Sequence, residues 1–240
     1  MSSELDQQLA GGSEVAGDRG SPARSPQVLL VYYTYTGQSQ KVLNSAGSAF
    51  ADRGCEVHEA RIEFTDPRFA QRFSRFPMRH VWPDMLSVLP AQMRGTTAEI
   101  RTPEEVNKRD YDLVCIGSPT WWRTTNMPMR SFLQTDEAGM LLSGKPFAVF
   151  VVCRRYWREN LETVRQLGEQ QGGRYVDGIH FEYPGGQLRS MLSLTSYLGS
   201  GEYRDRYMGV RIPRTNVQPE QLEETRSFAN ALADRLFVKK

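Results

Sequence analysis

Hydrophobic positions along this chain switch repeatedly between two periods. Val28–Tyr33 is a continuous apolar, β-branched and aromatic run, which reads as a buried strand. Over Gln38–Arg53 the apolar positions Val42, Ala46, Ala49 and Phe50 recur at helical spacing, and Gly54 stops the run. Glu56–Ile62, Tyr111–Gly117, Lys145–Cys153 and Arg174–Phe181 read as four further strands, Lys145–Cys153 being the most hydrophobic and therefore central. Met127–Gln134, Tyr156–Gln171 and Pro219–Leu236 read as helices; Gly172-Gly173 ends the second and Pro219 suits the first turn of the third. Five strands separated by helices predict an α/β fold, with a parallel sheet covered on both faces.

Two segments exceed what such a core needs, about 64–109 and 183–218. Their aromatics and helical spacing predict ordered insertions into a domain spanning 27–240. Thr65-Asp66-Pro67 is a helix start. Arg68, Arg72 and Arg75 then share one side beside Phe69, Phe73 and Phe76, with Pro77 ending the helix. Either the phenylalanines pack on the core beneath exposed arginines, or the basic stripe receives an NADPH phosphate, an acidic partner or a membrane surface. In the second insertion Leu188, Met191, Leu192, Thr195 and Leu198 fall at helical spacing, which predicts a cover over the site or a contact between two copies of a homo-oligomer.

Residues 1–26 have no aromatic residue and no hydrophobic periodicity, and read as a disordered tail. They lack the basic start and apolar centre of a secretory signal, and no apolar run is long enough to span a membrane. Three dispersed cysteines fit a reducing compartment, so the expected location is cytoplasmic. The 30 basic and 28 acidic residues nearly cancel, and no nucleic-acid-binding module is visible. No zinc spacing and no serine-hydrolase elbow occurs, so no metal is expected and no catalytic side chain is named.

The chemistry lies in the loops at the carboxyl ends of the strands, where such sheets bind ligands. The first strand breaks into Thr34-Tyr35-Thr36-Gly37-Gln38-Ser39. Three hydroxyls and free backbone N–H groups at a helix N-terminus make an anion site, with phosphate as its natural occupant. The alternative is an ordinary polar turn. The loop after the third strand, over 118–126, carries Ser118, Pro119, Thr120, Trp121, Trp122, Arg123 and Asn126. Its paired tryptophans either fill a core edge or wall a flat aromatic ligand. Cys153, Arg154 and Arg155 leave the fourth strand at the same edge; the thiol reads as a buried strand-end residue. A phosphorylated planar ligand across these loops suggests flavin mononucleotide (FMN).

Here the sequence resembles the flavodoxin-like FMN-binding family. Thr34–Ser39 matches that family's T/S-x-T-G-x-S/T loop, and Gly117–Trp122 running into Asn126-Met127-Pro128 matches the second loop of single-domain members and quinone reductase relatives. The likeness covers about residues 27–181 and the last helix. Weaker similarity, at Tyr33–Gln38, Gly144–Pro146 and Cys153–Trp157, is to flavodoxin-like proteins grouped with dialkylresorcinol biosynthesis. The resemblance implies a three-layer sandwich with strand order 2-1-3-4-5. It also implies FMN phosphate on the first loop and the flavin ring between the second and third, held by the residues just named.

Two departures matter. Arg123-Thr124-Thr125 stand where many relatives place a glycine that helps the one-electron-reduced flavin, and Arg154 and Arg155 replace acidic surroundings. Both favour two-electron chemistry. The expected function is therefore NAD(P)H-dependent reduction of a quinone or similar small aromatic acceptor by an FMN enzyme. With no second nucleotide loop, NAD(P)H would bind only transiently as donor. An electron carrier with a redox protein partner is the alternative, and a flavodoxin-like biosynthetic or interaction subunit with little FMN use is a third reading.

Overall fold

The computed structural model describes residues 24–237. Five strands form the main sheet: β1 (Gln27–Tyr32), β2 (Glu56–Arg61), β3 (Leu113–Trp121), β4 (Pro146–Cys153) and β5 (Arg174–Glu182). They are parallel neighbours in the order β2-β1-β3-β4-β5. This is the 2-1-3-4-5 order expected, and it places the switch point between β1 and β3.

The helices used below are α1 (Gln38–Asp52), α2 (Val81–Met93), α3 (Met127–Phe132), α4 (Trp157–Gln170), α5 (Gln187–Ser200) and α6 (Pro219–Phe237). Alternate residues of β1 enter opposite faces of the sheet, as the period of two requires. Val28, Leu30 and Tyr32 pack with Val42, Ala46 and Phe50 of α1 and Leu232 of α6. Leu29, Val31 and Tyr33 pack with Met129 and Phe132 of α3 and Val164 of α4. All these side chains are essentially removed from water, each stabilising by roughly 1.5–3 kcal/mol for the larger aliphatics and aromatics. Gly117 lets α1 approach β3: a Cβ there would lie 2.6 Å from Leu43 Cδ1.

Three features correct or add to these expectations. The third strand does not stop at Gly117. Ser118 and Pro119 continue the ladder with Val151 and Val152 of β4, and Thr120 and Trp121 then pair with Thr124 and Thr125 in a tight hairpin. Ser118, Pro119, Thr120 and Trp121 are therefore strand rather than loop. Beyond Gly117 the strand has lost β1 as a neighbour, and a proline is tolerated at such an edge. Second, the helix expected to run to Pro77 is a single turn, Ala70–Phe73. Asp66 accepts bonds from the Arg68 backbone and side chain, which ties the first arginine down instead of presenting a stripe. Third, the longer helix of that insertion is α2, with Pro83 in its first turn and Pro90 inside it.

The tail read over residues 1–26 lies outside the described residues up to 23. Arg24 bonds to Asp112, and the Pro26 carbonyl accepts from Glu56 N at 2.9 Å. Among the described residues no helix is long and apolar enough to cross a membrane.

Candidate functional site

The loop after β1 is shaped by Gly37. It is the N-cap of α1 with φ of 77°, and a Cβ there would meet nothing within 4 Å. No side chain caps α1, and its first turn holds no acidic residue. The first N–H groups of a 15-residue helix thus face the loop without a side-chain partner. Thr34, Gln38 and Ser39 are buried, while Tyr35, Thr36 and Gly37 are partly exposed. The Gln38 side chain is held on both sides: its amide donates to Tyr197 Oη at 3.3 Å, and its oxygen accepts from Val217 N at 2.9 Å. Ser39 Oγ is buried and has no partner. Arg61, at the end of β2, donates to the Thr34 carbonyl at 3.3 Å and brings positive charge to the loop.

The loop after β3 is organised from within. Ser118 Oγ donates to Asn160 Oδ1 at 2.8 Å and also pairs with Thr125 Oγ1 at 2.7 Å. Asn160 Nδ2 donates to the Ser118 carbonyl and to Thr120 Oγ1. Asn126 Nδ2 donates to the Pro119 carbonyl at 2.9 Å, while its Oδ1 accepts from Met129 N and caps α3. Ser118, Thr120 and Asn126 are thus engaged inside the protein. Asn160, fully buried on α4, is the residue that organises them, and nothing local in the sequence marks it.

The two tryptophans part company. The Trp121 ring stacks on Phe73 at 4.5 Å and 23°, with Tyr33 and Phe64 against it edge-on. It is the core-edge member of the pair. Trp122 takes positive φ (59°) and, among the described residues, forms no aromatic pair. Arg123 reaches the third loop, its guanidinium 5.3 Å from the Tyr156 ring centroid. Phe73 and Phe76 both pack edge-on against Tyr35, so the first insertion covers the first loop as well.

In the loop after β4, Cys153 is buried, and burial pushes its thiol up to about 12. It stays protonated and unreactive near neutrality. Arg155 is exposed. Arg154 Nη1 is buried without a partner, and burial lowers its affinity for the proton.

Buried polar atoms normally find partners, so those that do not are informative. Among the described residues they are Ser39 Oγ, Arg154 Nη1, Ser190 Oγ and Ser196 Oγ, together with Gln92 Oε1 and Arg130 Nη1. Gln92 through its amide nitrogen and Arg130 through its other terminal nitrogen both donate to the Thr125 carbonyl of the second loop. Ser190 and Ser196 lie on α5, whose Tyr197 meets the first loop. The unsatisfied groups gather around the carboxyl edge of the sheet, and most are donors.

No protein-family model matches the chain. A flavoprotein from Lactobacillus acidophilus NCFM, solved in complex with FMN, superposes with a TM-score of 0.50 over 65% of this chain and 93% of its own, at 18% identity. The chain has the flavodoxin-like fold. Oxidised flavodoxin 1 from Bacillus cereus is 12% identical over 88% of this chain and 99% of its own, with a TM-score of 0.49. A curated relative, NAD(P)H dehydrogenase (quinone) from Archaeoglobus fulgidus, is 26% identical over 129 residues. That match takes in 52% of this flavodoxin-like chain and 60% of the relative's length.

Proposed function

We propose that this protein binds FMN and acts as an oxidoreductase, passing electrons from NAD(P)H to a quinone or similar small aromatic acceptor. The carrying observation is the buried, unpartnered Ser39 hydroxyl at the uncapped N-terminus of α1. That donor set fits a phosphate group. A flavodoxin-like fold, a structural neighbour solved with FMN and a relative named NAD(P)H dehydrogenase (quinone) support the same reading.

FMN would supply the redox chemistry. The chain's own residues would bind and orient it. Thr34, Thr36 and the Gly37–Ser39 backbone would hold the phosphate, with Arg61 adding positive charge, and Arg154 would bring positive charge to the ring from the third loop. Trp122 is the tryptophan available to a planar ring, since Trp121 is stacked on Phe73. Arg123 and Tyr156 would close the far side of the ring. The Phe73 and Phe76 cover would exclude water from the first loop.

Calorimetric titration of the purified protein tests this reading. FMN should bind and riboflavin, lacking the phosphate, should bind far less. Ser39→Ala should weaken FMN by one to two orders of magnitude, since a hydrogen bond to a charged group is worth about 1.5–3 kcal/mol. Absence of FMN binding would sink the proposal. FMN binding without NADH or NADPH oxidation, in the presence of a benzoquinone, would leave the electron-carrier alternative.

A further inference from the structure

The two insertions are tied to each other. Met78 N donates to the Leu198 carbonyl at 2.7 Å, and Trp82 and Tyr207 line one cleft between them. Together they differ from the rest of the molecule in two ways. Among the described residues eight large hydrophobic side chains are exposed, and seven of them, all but Met140, lie in the insertions. Residues 64–109 and 183–218 also hold 13 basic and 7 acidic residues, against 17 and 21 in the rest of the chain. Exposed apolar groups and positive charge thus concentrate on the same two segments of an otherwise net-acidic chain.

The exposed positions of α2 are Trp82, Pro83, Leu86, Ser87, Pro90 and Met93, none of them charged. Trp82 and Leu86 stand one turn apart on that side. Beside α2 the second insertion raises a hairpin, Arg206–Tyr207 against Val210–Arg211. Its tip is Met208-Gly209, with φ of 49° and 77°, the backbone of a turn that asparagine and glycine usually fill. Methionine is strained there, and Met208 is 82% exposed, so packing within the protein does little to offset the strain. Arg206 lies directly opposite Arg211, a like-charge pair that destabilises a ladder. Among the described residues neither arginine forms a salt bridge. Residues 202–214 contain four arginines against two acids, Glu202 and Asp205.

We propose that this face docks on the surface of an anionic lipid bilayer. The uncharged side of α2 lies along the headgroup boundary, and Met208 enters the apolar region beside it. Arg206 and Arg211 meet anionic headgroups, which relieves their mutual repulsion. A lipid surface fits better than a folded partner. The apolar groups are spread along a helix side and a hairpin tip rather than gathered in a groove, and a fluid bilayer conforms to such relief. Docking spans nothing and leaves the sheet untouched. It places the bilayer beside the Thr34–Ser39 loop, because Tyr197 of α5 accepts from Gln38 and packs 5.3 Å from the Phe76 ring. It does not require FMN.

The test is flotation of the full chain, without FMN, on vesicles of phosphatidylcholine alone or mixed equally with phosphatidylserine. The protein should float with the mixed vesicles and not with phosphatidylcholine, and added salt should weaken the binding. Tryptophan emission should shift to the blue on binding, and Trp82→Phe should remove that shift while keeping flotation. Replacing both arginines, Arg206→Gln with Arg211→Gln, should weaken binding about tenfold or more. Met208→Asn should weaken it about tenfold as well. Asparagine suits the left-handed turn, so the same variant should melt no lower than wild type. A purely structural hairpin would give the opposite pattern, a changed Tm and unchanged vesicle binding. Failure to bind the mixed vesicles overturns the proposal, as does binding that the arginine and Met208 variants leave intact. Equally tight binding to soluble polyglutamate would assign the face to an acidic protein and also overturns it. Self-association in sedimentation velocity, without vesicle binding, would mean that the face joins two copies, and the proposal fails.

Discussion

The loops after β1 and β3 leave the same edge of the sheet, and each runs into the N-terminus of a helix. Their hydrogen bonding is opposite. At α3 the end is closed by the protein itself: Asn126 Oδ1 accepts from Met129 N at 2.9 Å, and Ser118, Thr125 and Asn160 complete the network. At α1 the end is open: Gly37 provides no side chain, and Ser39 Oγ is buried without a partner. The difference separates structural from ligand-directed polarity. Hydroxyls of the same type, on neighbouring strands, serve stability in one loop and remain available in the other.

Substitutions should expose that contrast. The largest effect on stability is expected at Asn160. Asn160→Ala removes one partner of the Ser118 hydroxyl and the partners of the Ser118 carbonyl and of Thr120 Oγ1, the first two in a buried setting. Chemical denaturation should show a loss of about 2–4 kcal/mol. A loss under 1 kcal/mol would mean that the loop after β3 does not depend on this network.

A smaller effect concerns the aromatic cover. Asp66 anchors the segment that places Phe73 on Trp121. The Arg68 side chain, together with the Arg68 and Glu99 N–H groups, holds its carboxyl down at about 2, against an ordinary 3.8. A depressed carboxyl contributes stability above its unfolded value, and that stability is lost as pH falls through the folded one. Wild type should therefore lose about 1 kcal/mol between pH 4 and pH 2, a figure discounted for the exposed Arg68 partner. Asp66→Asn should be less stable at pH 7 and lack this part of the acid dependence, as thermal melts across that range would reveal.

The smallest effect is the sharpest for the comparison. Without ligand, Ser39→Ala deletes a hydroxyl that bonds to nothing, so unfolding stability should stay within about 0.5 kcal/mol of wild type. Together with the FMN loss stated above, this gives opposite signatures for Ser39 and Asn160. A large loss of stability in Ser39→Ala without ligand would show that the hydroxyl has an internal partner after all.

Much of this was legible in the chain. Val28–Tyr33 and Lys145–Cys153 announce buried strands because apolar content and period are local properties. The Thr-Tyr-Thr-Gly-Gln-Ser turn marks a helix N-terminus for the same reason. The end of β3 was not legible. A Ser-Pro-Thr-Trp sequence reads as a turn, and only the ladder with Val151 and Val152 extends it as strand. Arg61 and Asn160 were missed because each acts on a loop reached through the sheet rather than along the chain.

The sequence by itself determined the alternation of strands and helices, their two insertions and the loops that gather at one edge. Those follow from short-range periodicity and from the conformational habits of glycine and proline. Tertiary structure alone decided which polar groups remain free. Ser118 meets Asn160 from 42 positions away, and Gln38 meets Tyr197 from 159. It alone set Trp121 on Phe73 and opened the cleft between the insertions. A hydrogen-bond partner or a stacking face is a fact about distance in space, and nothing in the local pattern of a chain records it.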